Sequence, residues 1–216
     1  MGKNNELLDK WNKLAKELDI GANNIYCDLL YSYMHPRREY HTLDYHIGDC
    51  LNEFESARTF ILQQTDKILE LQFSLWFHDV IYKSKSDEEE SAICAAETLR
   101  KYNKPEKFID DVSRLILITK HKEIPKKTDE KIIVDIDLSV FGKNSRKFNE
   151  YEEKIRREYY YVGQKLFAEK RIEILEKFLD KNRPSIYFTD FFREKYEARA
   201  RINLERSISK LSTYLK

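Results

Sequence analysis

Apolar side chains recur every three or four positions along most of the chain, which is the spacing of one face of an α-helix. The pattern predicts helices that include residues 7–18, 25–33, 47–57, 68–82, 92–99, 108–116, 155–159, 174–179 and 196–215. Gly21, Pro36, Pro125 and Pro184 lie where the periodicity stops, as helix-ending residues do. The sequence therefore predicts an all-α fold.

Residues 131–141 depart from this pattern because they are rich in β-branched side chains. They are compatible with a short strand or with the start of a buried helix, and periodicity does not separate the two over so few residues. No linker, low-complexity tract or repeat interrupts the chain. We therefore expect a single domain over residues 1–216, folded as a helical bundle.

Composition excludes several other classes of protein. The chain has only 5 Gly and 4 Pro, fewer than a turn-rich sandwich or barrel needs, while 14 Tyr and 12 Phe argue against disorder. No apolar run reaches about 18 residues, and the first ten residues are too polar for a signal peptide. Cys27, Cys50 and Cys94 are widely separated and form no CxxC pair. These features predict a cytoplasmic protein that does not associate with membranes.

The charge is nearly balanced but unevenly distributed. The net charge of +1 argues against a dedicated nucleic-acid-binding protein. Residues 1–140 carry 20 basic and 26 acidic side chains, whereas residues 141–216 carry 19 and 12. This bias is typical of solvated helical surfaces, and it also suits a basic C-terminal part that supplies cations to an anionic substrate.

The histidines carry the strongest chemical signal. His78 and Asp79 follow an apolar stretch, and buried imidazole and carboxylate groups are suitable ligands for a divalent cation. The alternative is a histidine at a helix end that forms only local hydrogen bonds. His46 lies upstream, and Asp135 and Asp137 lie downstream in an apolar frame where carboxylates need a partner. The set favours a metal site.

Several short motifs resemble the HD superfamily of metal-dependent phosphohydrolases, and more closely its bacterial branch of predicted phosphohydrolases. They are REYHTL at 38–43 followed by HI at 46–47, WFHDVIY at 76–82, DEEESA at 87–92, TKH at 119–121, DIDLSVFG at 135–142, IRREY at 155–159 and EARARINL at 197–204. The resemblance covers most of the chain in the order of the family. It implies a helical bundle of the HD-domain type.

The resemblance also implies a set of metal ligands. These are His46, His78, Asp79 and Asp137, which would hold a divalent ion of Mn, Mg, Zn, Fe, Ni or Co. The two histidines of the first motif are usually four residues apart, whereas His41 and His46 are five apart. Either a helix starts between them or one of them lies outside the site. The choice of His46 over His41 therefore stays open. The choice of Asp137 over Asp135, which rests on its place just before Leu138 in the motif, also stays open.

The implied reaction is hydrolysis of a phosphate ester, on a nucleotide or another small phosphorylated molecule, by a metal-activated water. His41 would protonate the leaving group, and Asp79 would also orient the water. Glu88 would bind a second metal or anchor a ligating histidine. Lys120 is a predicted catalytic residue that would supply a cation to the phosphoryl oxygens. The predicted substrate-binding residues, which would contact the same oxygens, are Arg38, His121 and Arg156.

Two other functions fit the same residues. One is a catalytically weak HD-fold protein that binds a nucleotide or another anion and acts as a regulator. The other is a helical adaptor without metal, although this function leaves the histidine–aspartate pair unexplained. The sequence leaves open a homodimer and names neither the substrate nor the metal.

Overall fold

The computed structural model describes residues 3–82 and 87–216, and within these ranges it is helical throughout with no β-strand. Eleven α-helices are described: α1 (Lys3–Glu17), α2 (Ala22–Tyr33), α3 (Gly48–Ser56), α4 (Arg58–Gln64), α5 (Ile68–Phe77), α6 (Asp87–Lys101), α7 (Glu106–Ile118), α8 (Thr128–Asp137), α9 (Ser145–Glu158), α10 (Gln164–Leu179) and α11 (Asp190–Ser212). A π-helical turn (Leu43–Ile47) precedes α3, and a 3₁₀ turn (Leu138–Gly142) follows α8. The all-α prediction is confirmed.

The contacts between residues divide the chain into two compact units. Unit 1 comprises residues 1–134 and unit 2 comprises residues 135–216, so the boundary falls inside α8. The single domain over 1–216 stays a prediction. In the part of the chain that the structure describes, no helix has both the length and the apolar character needed to cross a membrane. The predicted cytoplasmic location stays a prediction.

Aromatic side chains form the core of unit 1. Trp11 of α1 contacts Phe73, Trp76 and Phe77 of α5, with its ring centroid 5.3 Å from that of Trp76 in an edge-on arrangement. The indole Nε1–H of Trp11 donates to the carbonyl of Ala22 at 2.8 Å, which satisfies its only polar atom. Burying each such side chain contributes about 1.5–3 kcal/mol. This cluster anchors α5, the helix that leads into the histidine–aspartate pair.

Helix α5 ends five residues before the predicted end at Tyr82. The backbone N–H of His78 still donates to the carbonyl of Ser74 at 2.8 Å, but Val80 N–H bonds to Phe77 O in a tight turn. His78 and Asp79 therefore lie in the turn that leaves the helix. Helix α7 packs against both α5 and α6, and Ala92, with two further buried alanines of α6, permits the close approach.

Residues 131–141 form the end of α8 and the following 3₁₀ turn rather than a strand. Ile132, Ile133, Val134 and Ile136 are all at most 1% exposed. The tertiary surroundings bury these apolar side chains in a helix and override the strand propensity of the β-branched residues. This finding decides between the two structures that the sequence left open.

Unit 2 is organised around α11, which packs along α10 and along the 3₁₀ turn. The side-chain amide of Asn203 donates to the carbonyls of Phe141 and Lys143 at 2.8 and 2.9 Å. A Cβ atom on Gly142 would collide with the Tyr196 side chain. Glycine is therefore required at the end of the DIDLSVFG segment because the turn lies against α11.

Candidate metal centre

His46 lies in the π-helical turn that precedes α3, and it is only 4% exposed. The backbone N–H of Ile47 donates to the carbonyl of Thr42 across five residues, and the Thr42 hydroxyl accepts from Tyr45 N–H. This wide turn begins at Leu43, so the helical segment starts between His41 and His46. Short π-helical turns are frequent at functional sites because they re-aim one side chain.

His78 is almost completely buried, at 1% exposure, and its orientation is fixed by the helix that precedes it. Its Nδ1 lies 3.1 Å from the carbonyl of Leu75, which can only accept a hydrogen bond. Nδ1 therefore carries the proton and donates, and the opposite nitrogen, Nε2, presents its lone pair. Metal-binding histidines in proteins are oriented by the same kind of hydrogen bond.

Three polar atoms converge at the centre of this site. Nε2 of His46 lies 2.9 Å from Nε2 of His78, and Oδ2 of Asp79 lies 3.1 Å from the first and 3.5 Å from the second. Ligand atoms that share one ion at about 2.1 Å, with angles of about 90–109°, are about 3.0–3.4 Å apart. The triangle has the dimensions of one face of a metal coordination shell.

Asp79 supplies the anionic member of the triangle. Burial raises the pKa of its carboxyl group, but the adjacent imidazoles of His78 and His46 lower that pKa by more, so it lies well below its ordinary value. The side chain keeps 25% of its surface exposed. An ionised carboxylate with one side open to solvent beside two buried imidazoles is a suitable donor set for a divalent cation.

Cys50 is a further candidate ligand that the sequence did not single out. Its thiol is buried, and one ligand atom each of His46, Cys50 and His78 lie within 4.8 Å of one another. The Cys50 sulfur is 3.8 Å from Nδ1 of His46, and the Tyr40 hydroxyl is 3.2 Å from the same nitrogen. The Cys50 thiol therefore contacts the Nδ1 edge of the His46 imidazole and also lies within 4.8 Å of a ligand atom of His78. Its position four residues after His46 was the available sequence signal.

Arg38 is buried and binds the backbone on both sides of the site. Its guanidinium donates to the carbonyl of His41 at 2.7 Å and to those of Asp79 and Val80 at 2.7 and 3.2 Å. The group also lies between the rings of Tyr33 and Tyr82, 4.8 Å from each centroid. These contacts join the segment before the π-helical turn to the turn after α5.

The remaining residues predicted for unit 1 lie at different distances from the triangle. The His41 ring is partly buried and its centroid is 5.5 Å from that of His46, so His41 adjoins the triangle. Lys120 forms an ion pair with Glu89. Glu89 was not among the site residues predicted from the sequence. Glu88 lies in the first turn of α6, and His121 adopts a left-handed backbone conformation with φ of 54° just after α7.

The two aspartates of the DIDLSVFG segment belong to unit 2 and differ in their surroundings. The Asp135 carboxylate is fully buried and accepts from Phe188 N–H, Thr189 N–H and the Thr189 hydroxyl, each at 2.7 Å. Burial raises the pKa of Asp135 to about 7, although these hydrogen bonds oppose the rise. Asp137 is the last residue of α8 and is partly exposed. The assignment of Asp137 as a ligand stays a prediction.

Arg156 also belongs to unit 2, where its side chain bonds within its own segment. Its guanidinium donates to the carbonyls of Tyr159 and Val162 at 2.6 and 3.0 Å and to the Gln164 side chain at 3.2 Å. It also covers the ring of Phe167. Its predicted role in binding a substrate stays a prediction.

Comparisons with known proteins add no family to this geometry. The chain matches no protein-family model, no curated protein and no solved structure. The class that fold and site define is an all-helical protein with a buried cluster suited to a metal ion, and any narrower assignment rests on the motifs and on the geometry of that cluster.

Proposed function

We propose that this chain is an HD-type metal-dependent phosphohydrolase that acts on a small phosphate ester, with nucleotides as the favoured substrates. The observation that carries the proposal is the triangle formed by Nε2 of His46, Nε2 of His78 and Oδ2 of Asp79. The separations match a shared ion, and the three residues come from the two motifs that resemble the family. Asp137 is proposed as the fourth ligand on that resemblance.

The donor set favours certain divalent metals. Two imidazoles and carboxylates suit Zn, Fe, Co, Ni or Mn better than Mg, which prefers oxygen ligands alone. A divalent ion bound here would lower the pKa of a water molecule and so supply hydroxide at neutral pH. Tyr40 and Leu75 would then have the same function. Each would accept a hydrogen bond from Nδ1–H of a ligating histidine and leave its Nε2 lone pair for the metal.

The other side chains near the triangle serve proton transfer and positioning. His41 adjoins His46 and is proposed to protonate the leaving oxygen, since an imidazole titrates near neutral pH. Arg38 directs its donors to backbone carbonyls, so its contribution is to hold Asp79 rather than to contact phosphate. Lys120, paired with Glu89, is proposed to orient the phosphoryl group together with His121. Glu88 keeps its proposed role as an anchor or second-metal ligand.

The proposal is tested by metal analysis and by hydrolysis of a panel of nucleotides and sugar phosphates. We compare wild type with His78→Ala and His46→Gln, and with His35→Ala as a matched control, because His35 is exposed and outside the triangle. Wild type and the control should hold about one divalent ion and hydrolyse at least one ester, while both site variants lose metal and turnover. Retained metal and turnover in His78→Ala would overturn the site.

The same experiment separates the regulatory alternative from the enzyme. Stoichiometric metal without turnover of any ester would favour a catalytically weak anion-binding regulator. A wild-type protein that binds none of the divalent metals on titration would overturn both functions and leave the helical adaptor. Circular dichroism of each variant distinguishes loss of a ligand from loss of the fold.

A further inference from the structure

Unit 2 contains a groove that shares no residue with the histidine–aspartate triangle. It lies among α9, the start of α10 and the C-terminal half of α11, and has a volume of about 510 Å³. Sites for small molecules range from about 300 to 1,000 Å³. Its floor is apolar, since Phe148, Phe167 and Leu211 line it and are each at most 8% exposed. The groove has the size and floor of a small-molecule site.

The charged side chains around the groove are mostly cationic. Arg156, Arg157, Arg206 and Lys210 line it, together with the carboxylates of Glu152 and Glu153. The Glu152 carboxylate already has two partners, since it accepts hydrogen bonds from Arg171 at 2.5 Å and from the Ser207 hydroxyl at 2.6 Å. The exposed Glu153 is then the remaining acidic group of the lining. The groove therefore presents an excess of positive charge.

Three of these cations have no carboxylate partner among the described residues. Arg156 donates to two backbone carbonyls and an amide oxygen, and Arg206 donates to the amide oxygens of Asn149 and Asn203 at 2.9 and 3.3 Å. No described side chain pairs with the Lys210 ammonium group. By contrast, Arg171 and Arg201 of the same unit each pair with a glutamate. Neutral acceptors orient the two guanidinium groups without cancelling their charge.

The two cations of α11, Arg206 and Lys210, line the same groove as the apolar side chain of Leu211 from that helix. Arg206 and Lys210 are four residues apart, so they are neighbours on one face of α11, and Leu211 of the same helix and Tyr214 just beyond its end also line the groove. A phosphate group can engage both cations while an attached flat or apolar body lies on the floor beside Tyr214. Guanidinium and ammonium groups are the usual protein partners of phosphate.

We propose that this groove binds a nucleoside monophosphate, with the phosphate on Arg206 and Lys210 and the nucleoside on the apolar floor. The inference does not depend on the proposed function, because all the groove residues belong to unit 2 and no metal is involved. It assigns a role to the basic C-terminal part of the chain that is separate from catalysis.

The test is calorimetric titration of the full-length protein with the four common nucleoside 5′-monophosphates, in EDTA and at low ionic strength. Two further arms use the matching nucleoside alone and inorganic phosphate alone. At least one monophosphate should bind at least tenfold more tightly than either fragment, because both charge and apolar contacts contribute. Binding should weaken in about 0.5 M salt as the cations are screened.

The variants locate the binding to the groove. Arg206→Gln and Lys210→Gln should each raise the dissociation constant about tenfold, because each removes one charged hydrogen bond to the phosphate. Lys181→Gln is the matched control, since Lys181 is exposed and does not line the groove. His78→Ala should bind as wild type does. No binding of any monophosphate, binding no tighter than that of inorganic phosphate, or binding that only His78→Ala abolishes would each overturn the proposal.

Discussion

The Nε2 atoms of His46 and His78 face each other at 2.9 Å in the buried interior of unit 1. Since the carbonyl of Leu75 fixes the proton of His78 on Nδ1, the Nε2 lone pair of His78 points at the second imidazole. Two nitrogen lone pairs at this distance repel unless a proton or a cation lies between them. Asp79 adds a negative charge at the same point, so the three groups could together hold a divalent cation.

The first prediction is that a divalent metal stabilises the fold through this pair of histidines. At a zinc concentration about 100-fold above the dissociation constant, binding contributes about 2.7 kcal/mol, or a rise in Tm of roughly 5–10 °C for a chain of this length. His78→Ala should show no such rise, while His35→Ala should match wild type. Scanning calorimetry with and without zinc measures the shift. An equal rise in His78→Ala would place the stabilising metal elsewhere.

The second prediction concerns Arg38, whose guanidinium binds the carbonyls of His41 and Asp79. Arg38→Lys keeps the charge but cannot reach both carbonyls in one plane, and buried acceptors left unpaired cost about 1–3 kcal/mol each. We expect the free energy of unfolding to fall by roughly 2–4 kcal/mol in urea titrations. Metal affinity should fall as well, because the backbone of Asp79 is released.

The neighbouring Arg37→Lys is the control for this change. Arg37 is exposed, so the free energy of unfolding of Arg37→Lys should stay within about 0.5 kcal/mol of the wild-type value. Equal stability of Arg38→Lys and Arg37→Lys would show that the buried guanidinium is not needed to hold the two segments.

The third prediction separates the two aspartates at the end of α8. Asp135→Ala removes an acceptor from two backbone N–H groups and the Thr189 hydroxyl, so it should cost roughly 2–4 kcal/mol of stability without removing the metal. Asp137→Ala should leave the metal-free protein nearly as stable but weaken metal binding at least about tenfold. Urea unfolding in EDTA and a competitive zinc titration measure the two effects. The opposite pattern would make Asp135 the ligand.

The fourth prediction concerns acid stability and the ion pairs around Arg114. Burial raises the pKa values of Asp111 and Glu130. Hydrogen bonds from Lys67 and Arg114 to Asp111, and from Lys127, Lys126 and Arg114 to Glu130, lower them by more. Both folded-state pKa values therefore lie below the ordinary values of 3.8 and 4.5. This stabilisation is present above those ordinary values and is lost as the pH falls through the lower folded-state values.

Arg114→Gln is the variant that tests this pH dependence. Removing the shared cation should lower stability at pH 7 and make the loss of stability between about pH 5 and pH 2 smaller than in wild type. Arg100→Gln is the control, because Arg100 and its partner Glu106 are both largely exposed. Urea midpoints measured across this range give the slopes. A slope in Arg114→Gln as steep as that of wild type would show that these pairs do not govern acid stability.

The sequence by itself determined the helical class and most of the helices. Leu7, Trp11 and Leu14 are buried on one face of α1 as their spacing predicts, because the 3.6-residue period of a helix is a local property of the chain. The histidine–aspartate pair was also identified from the sequence, because adjacent polar groups after an apolar stretch require a partner wherever they are buried.

The tertiary structure decided what local patterns do not contain. Residues 131–141 are helical because their surroundings bury nearly all of their side chains, which overrides their strand propensity. The π-helical turn and the Tyr40 contact select His46 over His41 for the triangle, and Cys50 lies beside His46 through the same turn. Asp135 and Arg38 are charged residues whose partners lie 53 and 41 positions away in the chain. A sequence pattern does not specify such distant partners, because only the packing of helices brings them within hydrogen-bonding distance.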